Sequence, residues 1–394
     1  MIRHLRGRVV TYERSIDDGI VELDGNLISW VGPAADRSDI AVPWSESVIL
    51  PGMVDVHCHG GGGVGFPDAT ADTAVAAVEY HRRSGTTTML ASLVSAPRDV
   101  LIRQTEMLSE LWRRGDIAGV HLEGPFLAKS RCGAQDLASI VPGDLDLFEA
   151  VVAAGGGAVR SMTVAPETAN LGELARSMVG HDVRPSIGHT DASADVVTAA
   201  LAELGRPISA THLFNGMPPM HHRSPGPIAA CLAAAARGEM VLELIGDGVH
   251  LAPQTVSMVA DLVGPDRIAF VSDAMAAAGM SDGDYRLGAL DVSVEGGVAR
   301  LAGSPSGTGT IAGGTSTVLD IVRRAVTVSG IDLVSAVRMG STTPAEFLGL
   351  GESIGRLAAG WQADVVVADA ALFVTEVYRR GRSTGEGAHG NSDS

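Results

Sequence analysis

The run VDVHCHGGGG at residues 54–63 sets two imidazoles, His57 and His59, one residue apart at the end of an apolar stretch. Side chains at i and i+2 of a strand share a face, so the two rings point the same way and Cys58 points the other way. Further along stand Glu123 in HLEGPF, His189 in GHT, His212 in THLFNGM and Asp273 in SDAM, each closing an apolar or β-branched run. An H-x-H pair alone is weak evidence, because two strand residues before a flexible turn read the same. Imidazoles and carboxylates gathered at several strand ends are harder to explain as packing, since buried ionisable groups are costly unless paired or metal-bound. The set therefore predicts a metal site. Imidazoles with a carboxylate suit Zn²⁺ or Fe²⁺, whereas Mg²⁺ and Ca²⁺ prefer oxygen shells. Such an ion acidifies water and polarises a carbonyl, and a carboxylate beside it, here Asp273, takes up the proton and returns it to a leaving group.

Eight candidate strands must hold these groups: GMVDVH, GTTTMLAS, IAGVHLE, VRSMTVAPE, RPSIGH, ISATHLF, VLELIGDG and IAFVSD, the seventh just before His250. Helix-like segments such as TADTAVAAVEYHRRS and DVLIRQTEMLSELWRR fall between them. Eight buried strands alternating with helices predict an α/β chain with a (β/α)8 TIM-like barrel, whose catalytic face is the C-terminal end of its strands. A doubly wound open sheet is the alternative with the same alternation. Short alternating strands with a hairpin signal at Asp24-Gly25 occupy the first 48 residues, and a similar texture returns in GRLAAGWQADVVVAD and LFVTEVYRRGR. The expected organisation is a small β-sandwich subdomain from 1–48 plus 346–382, a barrel over 49–345, and a disordered polar tail over 383–394.

Composition narrows the chemistry. With 394 residues, 45% hydrophobic and 19% charged, the chain can bury a large core. A formal charge of −17 argues against nucleic acid as a partner. A small anion needs only one local arginine and some backbone N–H groups. Neither a membrane span nor a secretory signal is legible, so a cytoplasmic protein without membrane contact is the expectation. Three scattered cysteines do not make a disulfide framework. Lys129 is the single lysine, so Schiff-base, phosphate-loop or carbamylated-lysine chemistry would have to use that residue.

The ordered motifs H-x-H, HLEGPF, GHT, THLFNGM, DGVH and SDAM resemble the amidohydrolase superfamily. Within it the resemblance is to the N-acetylglucosamine-6-phosphate deacetylases, over nearly the whole chain. It implies that Glu123, His189 and His212 hold a principal divalent metal, Zn or Fe. His57 and His59 would complete a second site with Glu123 bridging. Asp273 would be general base and acid. Asn215 and Gly216 would offer backbone amides to a substrate phosphate, and Arg223 would reach the phosphate from the neighbouring subunit of a homodimer. His250 would contact the sugar or the reacting amide and help stabilise the oxyanion. Ile311, Ala312 and Gly313 of GTIAGG would line the pocket, whereas the earlier LAGS at Leu301 precedes a turn.

The loop after HLEGPFLAKS departs from the family pattern. Many relatives carry lysine-glycine-alanine-histidine where this chain has Cys132, Gly133, Ala134 and Gln135. Ala134 and Gln135 are expected at the substrate, with Gln135 able to hydrogen-bond but not to carry a proton. Cys132 reads as a loop residue, a thiol with a sensing role being the alternative. His121 reads as packing or as support for Glu123, and His221 and His222 as surface loop. Gly60 to Gly63 read as a tight turn beside the histidine pair rather than a phosphate cradle. A carbamylated-lysine ring opener fits poorly, because Lys129 follows the third strand and not the fourth. A deaminase is chemically compatible but leaves the pattern around Arg223 unaccounted for. A catalytically dead binding relative would be expected to have lost ligands or the aspartate.

Overall fold

The computed structural model describes residues 2–303 and 307–386. Its centre is one sheet of eight parallel strands in chain order: β1 (Met53–Asp55), β2 (Thr86–Val94), β3 (Gly119–Glu123), β4 (Val159–Val164), β5 (Arg184–Ile187), β6 (Ser209–Ala210), β7 (Val241–Leu244) and β8 (Ile268–Phe270). Seven fall within the runs read from the sequence, and β2 continues two residues past GTTTMLAS, to Val94. The seam between β8 and β1 is closed by a side chain. The Asp55 carboxylate accepts from Ser272 Oγ at 2.5 Å and Ser272 N at 3.3 Å, and Asp273 N donates to His57 O at 2.9 Å. These contacts turn the sheet into a barrel.

Helices cover the outside, and local sequence says where they begin. Thr70 and Thr73 form a reciprocal cap on Ala71–Arg83, Asp144 caps Leu145–Gly155, and Thr317 with Asp320 caps Val318–Thr327. Helix Arg98–Arg113 buries Leu101, Thr105, Leu108 and Leu111, a one-sided spacing that lays it on the sheet. Strand residues such as Ala91, Leu122, Met162, Ile187, Leu242 and Phe270 share one core with these helices. Each fully buried leucine or phenylalanine there contributes about 1.5–3 kcal/mol.

The inner face of the barrel is different: Ser92, His121, Thr163, Ser186, Ser209, Thr211 and Glu243 are buried within it and hydrogen-bonded to one another.

Strands from both chain ends make a second sheet, in the order Arg382–Glu386, Val374–Arg379, Val365–Ala368, Val48–Pro51, Ile2–Val10, Ser15–Asp24, Leu27–Pro33. Val21, Leu23 and Ile28 from one side of this sheet pack in one cluster with Val365 and Tyr378 from the other. One curled sheet thus gives a sandwich-like core. The expected disordered tail is corrected at its start: residues 383–386 pair with Val374–Arg379, and 387–394 lie outside the described residues.

A three-stranded antiparallel sheet (Gly283–Leu287, Leu290–Glu295, Val298–Leu301) follows β8 and was not anticipated. Its signal was present, since Gly296-Gly297 is a two-residue hairpin loop. Among the described residues, no helix is long and apolar enough to cross a membrane.

Candidate active site

The barrel brings His57, His59, Glu123, His189, His212 and Asp273 to one place. Glu123 is the centre. Its Oε1 lies 2.9 Å from both His189 Nε2 and His212 Nε2, and its Oε2 lies 3.1 Å from His59 Nε2. Asp273 Oδ1 sits 3.3 Å from His59 Nε2 and 3.4 Å from His57 Nε2. The two nitrogens of the H-x-H pair are 3.1 Å apart, and those of His189 and His212 are 3.2 Å apart.

Glu123 is the last residue of β3, but His189, His212 and Asp273 stand just past the ladders of their strands. All three have positive φ, 46°, 28° and 46°. Non-glycine residues rarely take this conformation, and it concentrates at functional sites because the surroundings must hold it. Here it ends each ladder and turns the side chain inward. Gly216 shows the same crowding: at φ 64°, an added Cβ would lie 2.9 Å from His189 Nδ1.

The electrostatics follow from burial and proximity. Burial alone would raise the Glu123 carboxyl, but the His57 charge and hydrogen bonds from His189 and His212 hold it well below the usual range. Burial likewise opposes ionisation of Asp273, yet the charge of His57 and the hydrogen bond from His59 bring it down to about 2. Burial works against charge on His57 and His189, and the facing carboxylates overcome it and push both upward.

Nitrogen and oxygen donors of this kind fit a divalent ion. The groups His57–His59–Glu123 and Glu123–His189–His212 each have ligand atoms within 4.8 Å of one another. Donors about 3 Å apart in this way would suit an ion held between them. Asp55, Cys58 and His81 form a third such group behind β1. There Asp55 is engaged by Ser272, and His81 Nε2 by Gly60 O at 2.9 Å.

A cleft of about 250 Å³ opens over the cluster, lined by His59, Glu123, Ala134, Gln135, Asn215, Gly216, His250, Asp273, Ile311 and Gly313 among others. Ala312 lies behind this lining, wholly buried, with its N–H bonded to Ala299 O. Gln135 faces the cleft but is not a free substrate contact. Its amide donates to Glu123 Oε2 at 2.6 Å and its carbonyl accepts from Ser95 N at 2.7 Å, so both ends are engaged. The Asn215 N–H donates to His212 O at 3.0 Å, which closes the loop. Arg223 is exposed on the loop beyond Gly216, its guanidinium 2.8 Å from His222 Nε2, and it does not line the cleft. Gly60 and Gly61 form a small hairpin with Val64 and Gly65, and Gly62 and Gly63 donate to Ala278 and Ala276. That is the tight turn.

Two contributors went unread in the sequence. Asp247 accepts His250 Nδ1 at 2.8 Å and the N–H groups of Val249 and His250. Burial tends to lower His250, and Asp247 more than compensates. The D-x-x-H spacing in GDGVH was the available signal. Glu243 meets His57 Nδ1 at 3.2 Å, and its signal was a lone acid inside the apolar run VLEL. His121, 4.4 Å from the His57 ring, bonds Ser92 and Thr163 and does not touch the cleft.

Known proteins share this sequence and fold. A model of the amidohydrolase family matches residues 48–383. The N-acetylglucosamine-6-phosphate deacetylase of Bacillus subtilis is 32% identical over 371 residues, 91% of this chain and 91% of that protein. The N-acetylgalactosamine-6-phosphate deacetylase of Escherichia coli O157:H7 is 30% identical over 380 residues, 95% of this chain and 97% of that one. A solved N-acetyl-D-glucosamine-6-phosphate deacetylase variant from Mycobacterium smegmatis, in complex with N-acetyl-D-glucosamine-6-phosphate, superposes with a TM-score of 0.90 at 39% identity, covering 97% of this chain and 99% of that one. The histidines and carboxylates on the barrel rim thus stand in a fold and sequence shared with these enzymes along most of their length: the chain belongs to the amidohydrolase family.

Proposed function

We propose that the protein hydrolyses the acetamide of N-acetylglucosamine 6-phosphate to glucosamine 6-phosphate and acetate, using one or two divalent ions held by His57, His59, Glu123, His189 and His212. The observation that carries this is the convergence of four imidazoles and two carboxylates beneath a cleft, in a chain whose relatives bear that activity in their names. The two ligand groups, with Glu123 in both, support a reading of two ions.

A bound divalent ion supplies Lewis acidity, lowering the pKa of water from about 15.7 to about 7 and polarising the acetamide carbonyl. Asp273 supplies the proton transfers. Held ionised, it takes a proton from the attacking water, then gives it to the departing amine nitrogen. His250, with Nδ1 tied to Asp247, has Nε2 as its remaining polar atom and serves as donor to the developing oxyanion. Burial of the cluster strengthens the interactions among these charges.

The phosphate needs a cation, and the residues lining the cleft include neither lysine nor arginine. Arg223, exposed and one loop away, is the candidate, acting on the site of a second copy in a homodimer. Losing a hydrogen bond to a charged group costs about 1.5–3 kcal/mol, so Arg223→Ala is expected to raise KM about 10- to 150-fold with kcat little changed. An unchanged KM removes Arg223 from the phosphate. Mixing inactive Asp273→Asn protein with Arg223→Ala protein should restore phosphate-dependent turnover, because a mixed dimer has one intact site. No recovery contradicts the shared site.

The reaction class is tested by product analysis on both the gluco and galacto epimers of the phosphorylated N-acetylhexosamine. Equal amounts of acetate and free amine are expected, with the gluco epimer preferred. Release of ammonia instead would place the protein among deaminases.

A further inference from the structure

We infer that Glu243 is a positioning residue for the candidate metal centre, fixing through the outer nitrogen of His57 which ring nitrogen that side chain presents to an ion. The inference rests on the reading of His57 as a ligand and adds the group that makes it one.

Glu243 lies on β7, 2% exposed, with its carboxylate inside the barrel. Oε2 is 3.2 Å from His57 Nδ1 and accepts the His212 N–H at 3.4 Å. Oε1 accepts the Ser209 hydroxyl at 2.9 Å. From Ser209 a row of contacts crosses the barrel: Ser209 to Ser186 at 2.7 Å, Ser186 to Thr211 at 2.6 Å, Thr211 to Thr163 at 2.8 Å, Thr163 to His121 Nε2 at 2.9 Å, and His121 Nδ1 to Ser92 at 3.0 Å. Beyond it, the Cys58 N–H donates to Ser92 Oγ at 2.9 Å.

Ser186 Oγ lies 3.4 Å from Oε1 as well, so hydroxyls meet one oxygen of Glu243 while His57 Nδ1 and the His212 N–H meet the other. A carboxylate donates nothing to these partners. The carboxylate therefore acts only as an acceptor, on both oxygens. A hydrogen on His57 Nδ1 answers this acceptor, which leaves Nε2 as the nitrogen turned toward the ligand group. That nitrogen faces His59, Asp273 and Glu123 at 3.1, 3.4 and 3.7 Å.

The other histidines sharpen the assignment. His189 Nδ1 is fixed in the same way, by Arg131 O at 2.8 Å. His59 Nδ1 and His212 Nδ1 have no partner among the described residues. Each ligand group thus contains one imidazole whose tautomer is set from behind, and Glu243 does this for the His57–His59 group. Such carboxylate–histidine pairs set ring orientation and ligand basicity in metal sites generally.

The test is Zn²⁺ titration of chelator-treated full-length protein by calorimetry, with histidine ring tautomers read by NMR in ¹⁵N-labelled metal-free protein. In the unsubstituted protein, two binding steps are expected, with His57 carrying its hydrogen at Nδ1. His57→Ala identifies the step that belongs to the His57–His59 position. Glu243→Gln, nearly isosteric but able to donate as well as accept, should weaken that step about 10- to 100-fold and mix the His57 tautomers. The other step should stay within about twofold, and adding Glu243→Gln to His57→Ala should change nothing further.

A single step in the unsubstituted protein, His57 found with its hydrogen at Nε2, equal weakening of both steps, or an unchanged isotherm would each overturn the inference. The tautomer reading needs no variant. Because no substrate is present, failure here is distinct from failure of the deacetylase reading, which only acetate release can show.

Discussion

Asp273→Asn is expected to keep bound metal and lose about 10²–10⁴ of turnover, the usual contribution of a placed acid–base group. The asparagine amide preserves shape and can still hydrogen-bond, so His57 and His59 at 3.4 and 3.3 Å keep a neighbour. It cannot take up a proton. The facing histidines overcome burial and bring the Asp273 carboxyl down to about 2, which favours the carboxylate form that a proton acceptor must have. Its backbone at φ 46° and its N–H on His57 O fix the carboxylate beside the cluster. Metal content and kcat measured on the same sample decide the matter. Near-normal turnover in a metal-loaded variant removes Asp273 from proton transfer.

Glu123→Gln is expected to be more damaging, with loss of metal and of turnover together. Glu123 alone touches three of the four imidazoles within 3.1 Å, His189 and His212 through one oxygen and His59 through the other. An amide offers one weaker oxygen ligand and no charge, so the imidazoles around it lose their shared anion. Gln135, which now donates to Oε2, would be left facing a second amide. Bound Zn and Fe after dialysis should fall far below that of Asp273→Asn, while the thermal transition shows whether the barrel still folds. Full metal content in Glu123→Gln would contradict the bridging assignment.

Much of this arrangement was legible because the chemical residues are rare types in apolar surroundings. His57, Glu123, His189, His212 and Asp273 interrupt or close runs whose pattern already gave eight strands, and barrel topology then sends strand ends to one rim. What the pattern could not give was hydrogen-bond partnership across the barrel. Gln135 was readable as a cleft residue, but not as the brace between Ser95 and Glu123, which depends on a loop folding back forty residues later. Asn215 sits where expected, yet its N–H closes the turn after His212, a consequence of left-handed residues at 212 and 214. Ala312 is in the anticipated segment but faces inward, because periodicity in a short irregular stretch does not fix a face. Glu243 and Asp247 were in view as acids within or just beyond a strand. Their partners, His57 across the barrel and His250 three residues on, were not.

The most direct measurement is kcat/KM for acetate release from N-acetylglucosamine 6-phosphate and from N-acetylglucosamine, on protein of measured Zn and Fe content. Metal-dependent turnover with strong preference for the phosphate ester is the predicted result. Metal-loaded protein inactive on both sugars would contradict the account at its centre, and equal activity on both would contradict the phosphate assignment.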